Sequence, residues 1–145
     1  MEVFRLVFSP IEVNTYILAD ASGKCAVIDC GCYNRSEFNR LSLFLEKKNL
    51  MPELLLNTHC HLDHIFGNEM FLEKYGLGAW SHKLEDENRN DSPGHAHLFG
   101  LSMDKPPEPS GFLDDGDTVT FGSENLLVLH GPGHTPGRIA FSISK

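Results

Sequence analysis

The feature that most limits how this chain can fold is a group of metal-binding side chains placed directly after a short apolar run. Residues 54–56 are three leucines, and residues 58–64 read THCHLDH. A short apolar run before a turn predicts a buried strand. The side chains of interest are His59, His61, Asp63 and His64. Because zinc is held by imidazole nitrogens and carboxylate oxygens, this turn predicts a metal site.

A second histidine motif provides the further ligand that such a site needs. His134 lies in the run HGPGHTPG at residues 130–137, whose glycines and prolines favour a rigid loop with close backbone approach. A tight turn can point His59 and His61 at one ion, which His134 then completes, while Asp63 and His64 face a second ion. The alternative is a chance group of surface histidines. It is disfavoured because the predicted buried strand and the second histidine loop both indicate a metal site.

The rest of the pattern predicts a mixed α/β chain that forms a single domain over residues 1–145. Strands are expected at 3–8, 15–18, 25–29, 54–56, 78–80, 118–121, 126–129 and 139–143. A first helix is expected to be capped by Ser36 and closed by Asn49 with Pro52, and a second to span residues 65–75 and end at Gly76. Residues 82–90 are expected to be helical, and residues 91–111, rich in Gly, Pro and Ser, to form a long loop.

Composition narrows the function. The net charge is −8 and no basic run occurs, which argues against nucleic acid as a partner. No apolar run approaches the ~18 residues that cross a bilayer, and the N-terminus lacks a signal-peptide pattern. A protein without membrane contact, most simply cytoplasmic, is expected. Four cysteines without a CxxC spacing indicate neither a zinc knuckle nor a disulfide framework.

These motifs resemble the metallo-β-lactamase superfamily, whose signature is T-H-x-H-x-D-H. The likeness extends to Val27, Ile28 and Asp29 followed by Gly31, and to PGHTPG at residues 132–137. The sequence NTY at residues 14–16 is typical of the hydroxyacylglutathione hydrolase, or glyoxalase II-like, branch. The resemblance implies a four-layer αββα sandwich. It also implies that His59, His61 and His134 bind one metal, that Asp63 and His64 bind a second, and that Asp29 supports the turn.

The chain departs from the family in one respect. The family has a bridging Asp after the next strand and a later His, and this chain has neither before Lys145. Asp114, Asp115 and Asp117 precede His134 in a hairpin turn and are poor substitutes. A C-terminally truncated domain is therefore expected, with an incomplete second sheet, an exposed edge and an uncovered apolar face. Such surfaces favour a homo-oligomer or a retained C-terminal fragment.

The function that the resemblance implies is hydrolysis of a thioester or ester, such as a hydroxyacylglutathione. Two zinc ions would share a hydroxide that attacks the carbonyl, and Asp63 would orient it. Three alternatives remain open: a mononuclear iron, persulfide dioxygenase-like oxidoreductase, a β-lactam hydrolase, and an inactive fragment that holds one metal ion or none. The negative charge disfavours a nuclease.

Other histidines and the cysteines have simpler interpretations. His95 and His97 are expected in a mobile loop over the site, with metal binding as the less favoured role. His82 is expected to be an exposed polar residue, and His130 to pack or hydrogen-bond locally. Cys60, Cys30 and Cys32 are expected to be buried structural thiols.

Overall fold

The computed structural model describes residues 1–131 and 135–143. The strands are β1 (Glu2–Phe8), β2 (Val13–Ala19), β3 (Lys24–Ile28), β4 (Met51–Leu56), β5 (Ala79–Ser81), β6 (Gly111–Phe112), β7 (Thr118–Phe121), β8 (Glu124–His130) and β9 (Ile139–Ile143). The helices are α1 (Arg35–Lys47), α2 (Leu62–Ile65), α3 (Asn68–Tyr75) and α4 (Asp86–Leu98), the last preceded by a 3₁₀ turn at Lys83–Glu85. No helix in these ranges is long and apolar enough to cross a membrane.

The larger sheet has six strands in the order β1-β2-β3-β4-β5-β6. Its first three strands are antiparallel neighbours, and the β3–β4, β4–β5 and β5–β6 pairs are parallel. The parallel pairs bring the ends of β3 and β4 to one edge of the sheet. Asp29 and the histidine loop therefore leave the sheet side by side.

Both faces of this sheet are buried, and the side chains alternate between two cores as the pleat requires. On β3, Val27 belongs to the core against the helices, whereas Ala26 and Ile28 belong to the core against the second sheet. On β4, Leu55 belongs to the core against the helices and Leu56 to the core against the second sheet. The helical core also includes Phe38, Leu41 and Leu45 of α1 and Phe71 of α3.

The smaller sheet is antiparallel and has the order β7-β8-β9. Its inner face carries Phe121, Leu126, Val128 and Ile139, all buried against the larger sheet. Its outer face carries two exposed apolar side chains of β8, Leu127 and Leu129. Ile143 is also exposed, but it pairs with Leu126 and so belongs to the inner face. The described part of the chain forms a helical layer, the larger sheet and the smaller sheet, as expected for this part of an αββα sandwich.

The first helix ends as predicted, since Asn49 follows the C-cap Lys48 with a φ of +56°, but two other predicted residues are wrong. Its N-cap is Asn34, not Ser36, and the Asn34 side chain accepts a 2.9 Å hydrogen bond from the Glu37 amide. Pro52 does not close the helix, because it is the second residue of β4. Proline is tolerated near a strand start, and here it pairs with Cys25, where the register with β3 shifts.

The predicted helix at residues 65–75 is two helices with Gly67 between them. The sulfur and carbonyl oxygen of Cys30 and the Cβ of Cys32 leave no room for a side chain at Gly67, whose N–H donates to the Cys30 carbonyl at 2.9 Å. The expected C-terminal glycine is confirmed. Gly76 has a φ of +68° and donates its N–H to the Leu72 carbonyl, which ends α3.

The largest error in the sequence prediction is the loop at residues 91–111. Helix α4 continues through Pro93 to Leu98, so only residues 99–110 connect it to β6. Proline removes the amide that would bond the carbonyl four residues earlier, that of Arg89. The hydroxyl of Ser92 donates to this carbonyl at 2.6 Å and replaces the missing bond.

Candidate metal centre

The loop between β4 and α2 is fixed by a buried asparagine. Asn57 donates its backbone N–H to the Trp80 carbonyl at 2.9 Å and its side-chain amide to the His64 carbonyl at 3.1 Å. Asn68 donates in turn to the Asn57 side-chain oxygen at 3.1 Å. The loop is thereby closed on itself and anchored to α3.

This closure brings the predicted ligands of the loop together. The ring centroid of His59 lies 4.9 Å from that of His61 and 4.0 Å from that of His64. The Asp63 carboxylate is 3.5 Å from His64 Nε2. His59 thus lies between the rings of His61 and His64, and a cleft of about 460 Å³ opens onto His59 and His64.

The Asp29 carboxylate contacts both Thr58, which follows β4, and His64, the last histidine of the loop. Its Oδ1 accepts the Thr58 N–H at 2.8 Å and its Oδ2 accepts the Thr58 hydroxyl at 2.6 Å. The same Oδ2 lies 2.9 Å from His64 Nδ1. A ring whose Nδ1 proton is held by a carboxylate presents the lone pair of Nε2, the arrangement typical of metal-binding histidines.

The backbone at Asp29 is itself unusual. Its φ is +58°, in the left-handed region that aspartate tolerates better than most residues. The buried Thr15 hydroxyl donates to the Asp29 carbonyl at 2.7 Å and accepts the Gly31 N–H at 3.1 Å. Thr15 belongs to the NTY motif, so this motif maintains the turn that aims Asp29 at the loop.

His59 and His64, the first and last histidines of the loop, differ in pKa. Burial, with a further contribution from the charge of His64, lowers the pKa of His59 to about 4. Burial also acts to lower the pKa of His64, but its hydrogen bond to the Asp29 carboxylate and the charges of Asp29 and Asp63 outweigh it and raise this pKa. His59 is therefore neutral at pH 7, which is the protonation state that a metal ion needs.

The predicted ligand His134 lies outside the described residues. The residues that follow it are described, and they are attached to the histidine loop. Ile139 N–H donates to the Thr58 carbonyl at 2.8 Å, which joins β9 to the end of β4.

Glu85 makes a second connection between these segments, and the sequence analysis missed it. This carboxylate is fully buried: Oε1 accepts the Cys60 N–H at 2.7 Å and Oε2 accepts the Gly137 N–H at 2.8 Å. A Cβ at position 137 would lie 2.9 Å from Glu85 Oε2, so glycine is needed there. No local pattern marks Glu85, because its partners are distant in the chain.

A second group of His and Asp side chains lies apart from the histidine loop. His82, Asp114 and His130 each place one ligand atom within 4.8 Å of the others. His82 Nε2 is 3.2 Å from Asp114 Oδ1, and the rings of His82 and His130 stack with centroids 4.2 Å apart. The expectation that His82 is exposed is wrong, since only 8% of it is accessible.

The structure also shows the positions of the other histidines and of the cysteines. His130 hydrogen-bonds locally as expected, with Nε2 at 2.9 Å from the Pro136 carbonyl. His95 and His97 lie on α4 rather than in a loop, and His95 lines a pocket with His61 and Asp63. All four cysteines are free and buried, and burial raises the pKa of Cys60 to about 12.

Two stacked sheets with a histidine-rich loop where they meet are typical of a class of α/β folds found in metal-dependent hydrolases. The family model of the metallo-β-lactamase superfamily matches residues 9–144, so the chain belongs to this superfamily.

Individual relatives agree with this assignment. The hydroxyacylglutathione hydrolase GloC of Haemophilus influenzae is 30% identical over 97% of this chain and 66% of its own length. The solved structure of TTHA1623 in a di-iron-bound form is 32% identical, with a TM-score of 0.81 over 96% of this chain and 66% of that one. BLEG-1, a B3 metallo-β-lactamase, shares the fold with a TM-score of 0.84 at 24% identity, over 98% of this chain and 67% of its own.

The resemblance to the glyoxalase II-like branch is thereby confirmed. The chain spans 64 to 66% of the length of the first curated relatives that it matches.

Proposed function

We propose that this chain forms the metal-binding part of a metal-dependent hydrolase that cleaves thioesters such as a hydroxyacylglutathione. The observation that carries the proposal is that His59 lies beside both His61 and His64, and Asp63 beside His64, in one loop. The likeness to a hydroxyacylglutathione hydrolase supports the choice of a thioester.

The donor set fits a divalent transition metal. Imidazole nitrogens with one carboxylate suit zinc and iron, and a hard ion such as magnesium would favour more oxygen ligands. The orientation of His64 by Asp29 also fits, because a ligating imidazole almost always donates its other N–H to a carboxylate or carbonyl. We propose that His59, His61, Asp63 and His64 hold the metal with His134.

The chemistry that a bound metal supplies in such a site is activation of water and polarisation of a carbonyl oxygen. The protein residues fix the geometry. Asp29 keeps the His64 ring in one orientation, Glu85 holds the backbone between His59 and His61, and Asp63 presents an acceptor at the mouth of the site. Preorganised groups of this kind reduce the reorganisation that the reaction requires.

Zinc is our first choice of metal, and iron is the alternative that a specific observation favours. A neighbour that is 32% identical was solved in a di-iron-bound form. An iron-dependent oxidoreductase of the persulfide dioxygenase kind would share the three-histidine ligand set.

The proposal is tested by loading the purified protein with Zn²⁺ or, without oxygen, with Fe²⁺ and by measuring two readouts. Native mass spectrometry gives the metal content and the oligomeric state, and loss of thioester absorbance gives hydrolysis of a 2-hydroxyacyl glutathione. We expect metal-dependent hydrolysis. Oxygen consumption with a glutathione persulfide, and no thioester cleavage, would contradict the proposal and favour the oxidoreductase.

A further inference from the structure

A pocket of about 270 Å³ lies beside the histidine loop, and the reaction chemistry does not account for it. We name it the α2–α4 pocket. It is lined by Ile11, His61, Leu62, Asp63, His95 and Phe99. Two of these residues belong to the proposed metal ligands, three are apolar, and the last is an additional imidazole.

The walls of the α2–α4 pocket are held in place by the fold. Ala96 of α4 is fully buried in a cluster with Leu62 and Phe66, which fixes α4 against the residues of α2. His95 and Phe99 are four residues apart and so share one side of the helix end. The position of these two side chains relative to the histidine loop is therefore set by packing.

The opposite wall comes from the turn between β1 and β2, which is also anchored. The Ser9 N–H donates to both oxygens of the Glu37 carboxylate, at 3.0 and 2.9 Å, and the Ser9 hydroxyl accepts the Ile11 N–H at 3.1 Å. Ile11 is thereby presented at the pocket by a turn bonded to α1.

Two apolar residues of the pocket are exposed to solvent. Phe99 is 67% accessible and Ile11 is 39% accessible. Large apolar side chains around an opening next to a reactive centre are typical of a ligand site. Among the described lining residues no Lys or Arg is present, so the pocket offers no cationic partner to an anionic group.

We propose that the α2–α4 pocket binds the acyl group of the substrate and selects uncharged, apolar acyl chains. This inference rests on the proposed function, because it assigns one end of a thioester to the pocket beside His61 and Asp63. The imidazole of His95 suits a hydroxyl on the acyl chain, since it can donate or accept a hydrogen bond.

Selectivity among acyl chains tests the pocket directly. The zinc-loaded protein is given the acetyl, butyryl and hexanoyl thioesters of glutathione, and kcat/KM is measured for each. We expect kcat/KM to increase from acetyl to hexanoyl by at least about tenfold, since each added methylene in an apolar pocket favours binding. Equal values for the three thioesters would overturn the proposal.

A pair of variants on neighbouring positions separates the pocket from the general surface. Phe99→Ala should reduce the hexanoyl-to-acetyl ratio by about tenfold. Leu98→Ala is the matched control, because Leu98 is 81% exposed and does not line the pocket. Its ratio should equal that of the unaltered protein. A ratio that is the same in both variants would contradict the role of Phe99.

A binding measurement keeps this inference separate from the proposed function. Hexanamide and acetamide are neutral probes that Asp63 does not repel, and methyl NMR signals of Ile11 and Leu62 report their binding without any turnover. If no thioester is cleaved, the proposed function fails. Hexanamide shifts that Phe99→Ala weakens and Leu98→Ala does not would then still support an apolar pocket, and the absence of such shifts would overturn it.

Discussion

The protein has two groups of histidine and aspartate that look alike in composition and differ in their hydrogen bonds. In the loop at residues 59–64, the Nδ1 of His64 faces the Asp29 carboxylate at 2.9 Å. In the second group, the Nδ1 of His82 instead accepts the Leu84 backbone N–H at 3.1 Å. The ring of His82 thus keeps its proton on Nε2, the atom that faces Asp114.

This difference decides which group is suited to a metal. A neutral imidazole has one lone pair, and it must be on the nitrogen that faces the ion. Asp29 leaves that lone pair on His64 Nε2, whereas the Leu84 amide would oppose the Nδ1 proton that His82 needs in order to bind through Nε2. The second group is better described as a helix cap and a His82–Asp114 hydrogen bond that join the 3₁₀ turn to the β6–β7 connection.

The strongest test of this comparison removes ligands from each group. The double variant His59→Ala/His61→Ala should lose bound zinc and any metal-dependent hydrolysis, because two of the imidazoles are gone. His130→Ala should keep its zinc. Native mass spectrometry counts the ions in both proteins, and retention of zinc by the double variant would contradict the assignment.

Glu85 should have a large effect on stability, because its carboxylate connects the histidine loop to Gly137. In Glu85→Gln one of two buried backbone N–H groups faces an amide nitrogen that cannot accept, which should cost about 1–3 kcal/mol in the free energy of unfolding. Urea unfolding measures this loss. Glu87→Gln, at an exposed position in the first turn of α4, should change it by less than about 0.5 kcal/mol.

The orienting role of Asp29 should appear in metal affinity. Asp29→Asn places an amide nitrogen where an oxygen now accepts a donor, and zinc affinity should fall about 10–100-fold. Competition with a chromophoric chelator gives the affinity. Asp114→Asn is the control in the second group, and an equal fall there would remove the distinction between the two groups.

The smallest effect is expected from Asp114 itself and depends on pH. The Asp115 N–H and the hydrogen bond from His82 hold the pKa of Asp114 below its ordinary value. A carboxyl whose pKa is lowered on folding stabilises the protein above its unfolded pKa and loses this contribution as the pH falls. The slight Tm deficit of Asp114→Asn near pH 7 should therefore vanish in acid, as followed by thermal unfolding. A Tm deficit that persists at low pH would show that it does not come from the charge of Asp114.

The sequence was sufficient to predict the parts of the fold whose cues are local. The strand before the histidine loop, the hairpin of β7 and β8, β9 and the glycine at the end of α3 follow from residues within a few positions of one another. The second half of helix α4 was missed because Pro93 and Gly94 are local signals against a helix, and the Ser92 hydroxyl compensates for one of them.

The site was predictable only as far as its ligand types are adjacent in sequence. His59, His61, Asp63 and His64 are marked by their spacing, whereas their arrangement in space depends on partners elsewhere. The support of the turn by Asp29 was anticipated only through the family resemblance, and the pairing of Glu85 with Gly137 was not anticipated, because neither residue type nor spacing reveals it. His82 was misjudged for the same reason, since its burial comes from the stacked ring of His130.

The long-range hydrogen bonds at the site have a consequence for how the protein folds. Glu85 and Gly137 are 52 residues apart in sequence, and Asp29 and Thr58 are 29 apart. Closing such long loops costs chain entropy before any contact compensates for it. The α1 helix and the β1–β2 hairpin can form early from near neighbours, but the histidine loop reaches its final shape only when β9 arrives. The centre is therefore assembled among the last steps of folding, and a metal ion encounters a nearly complete protein.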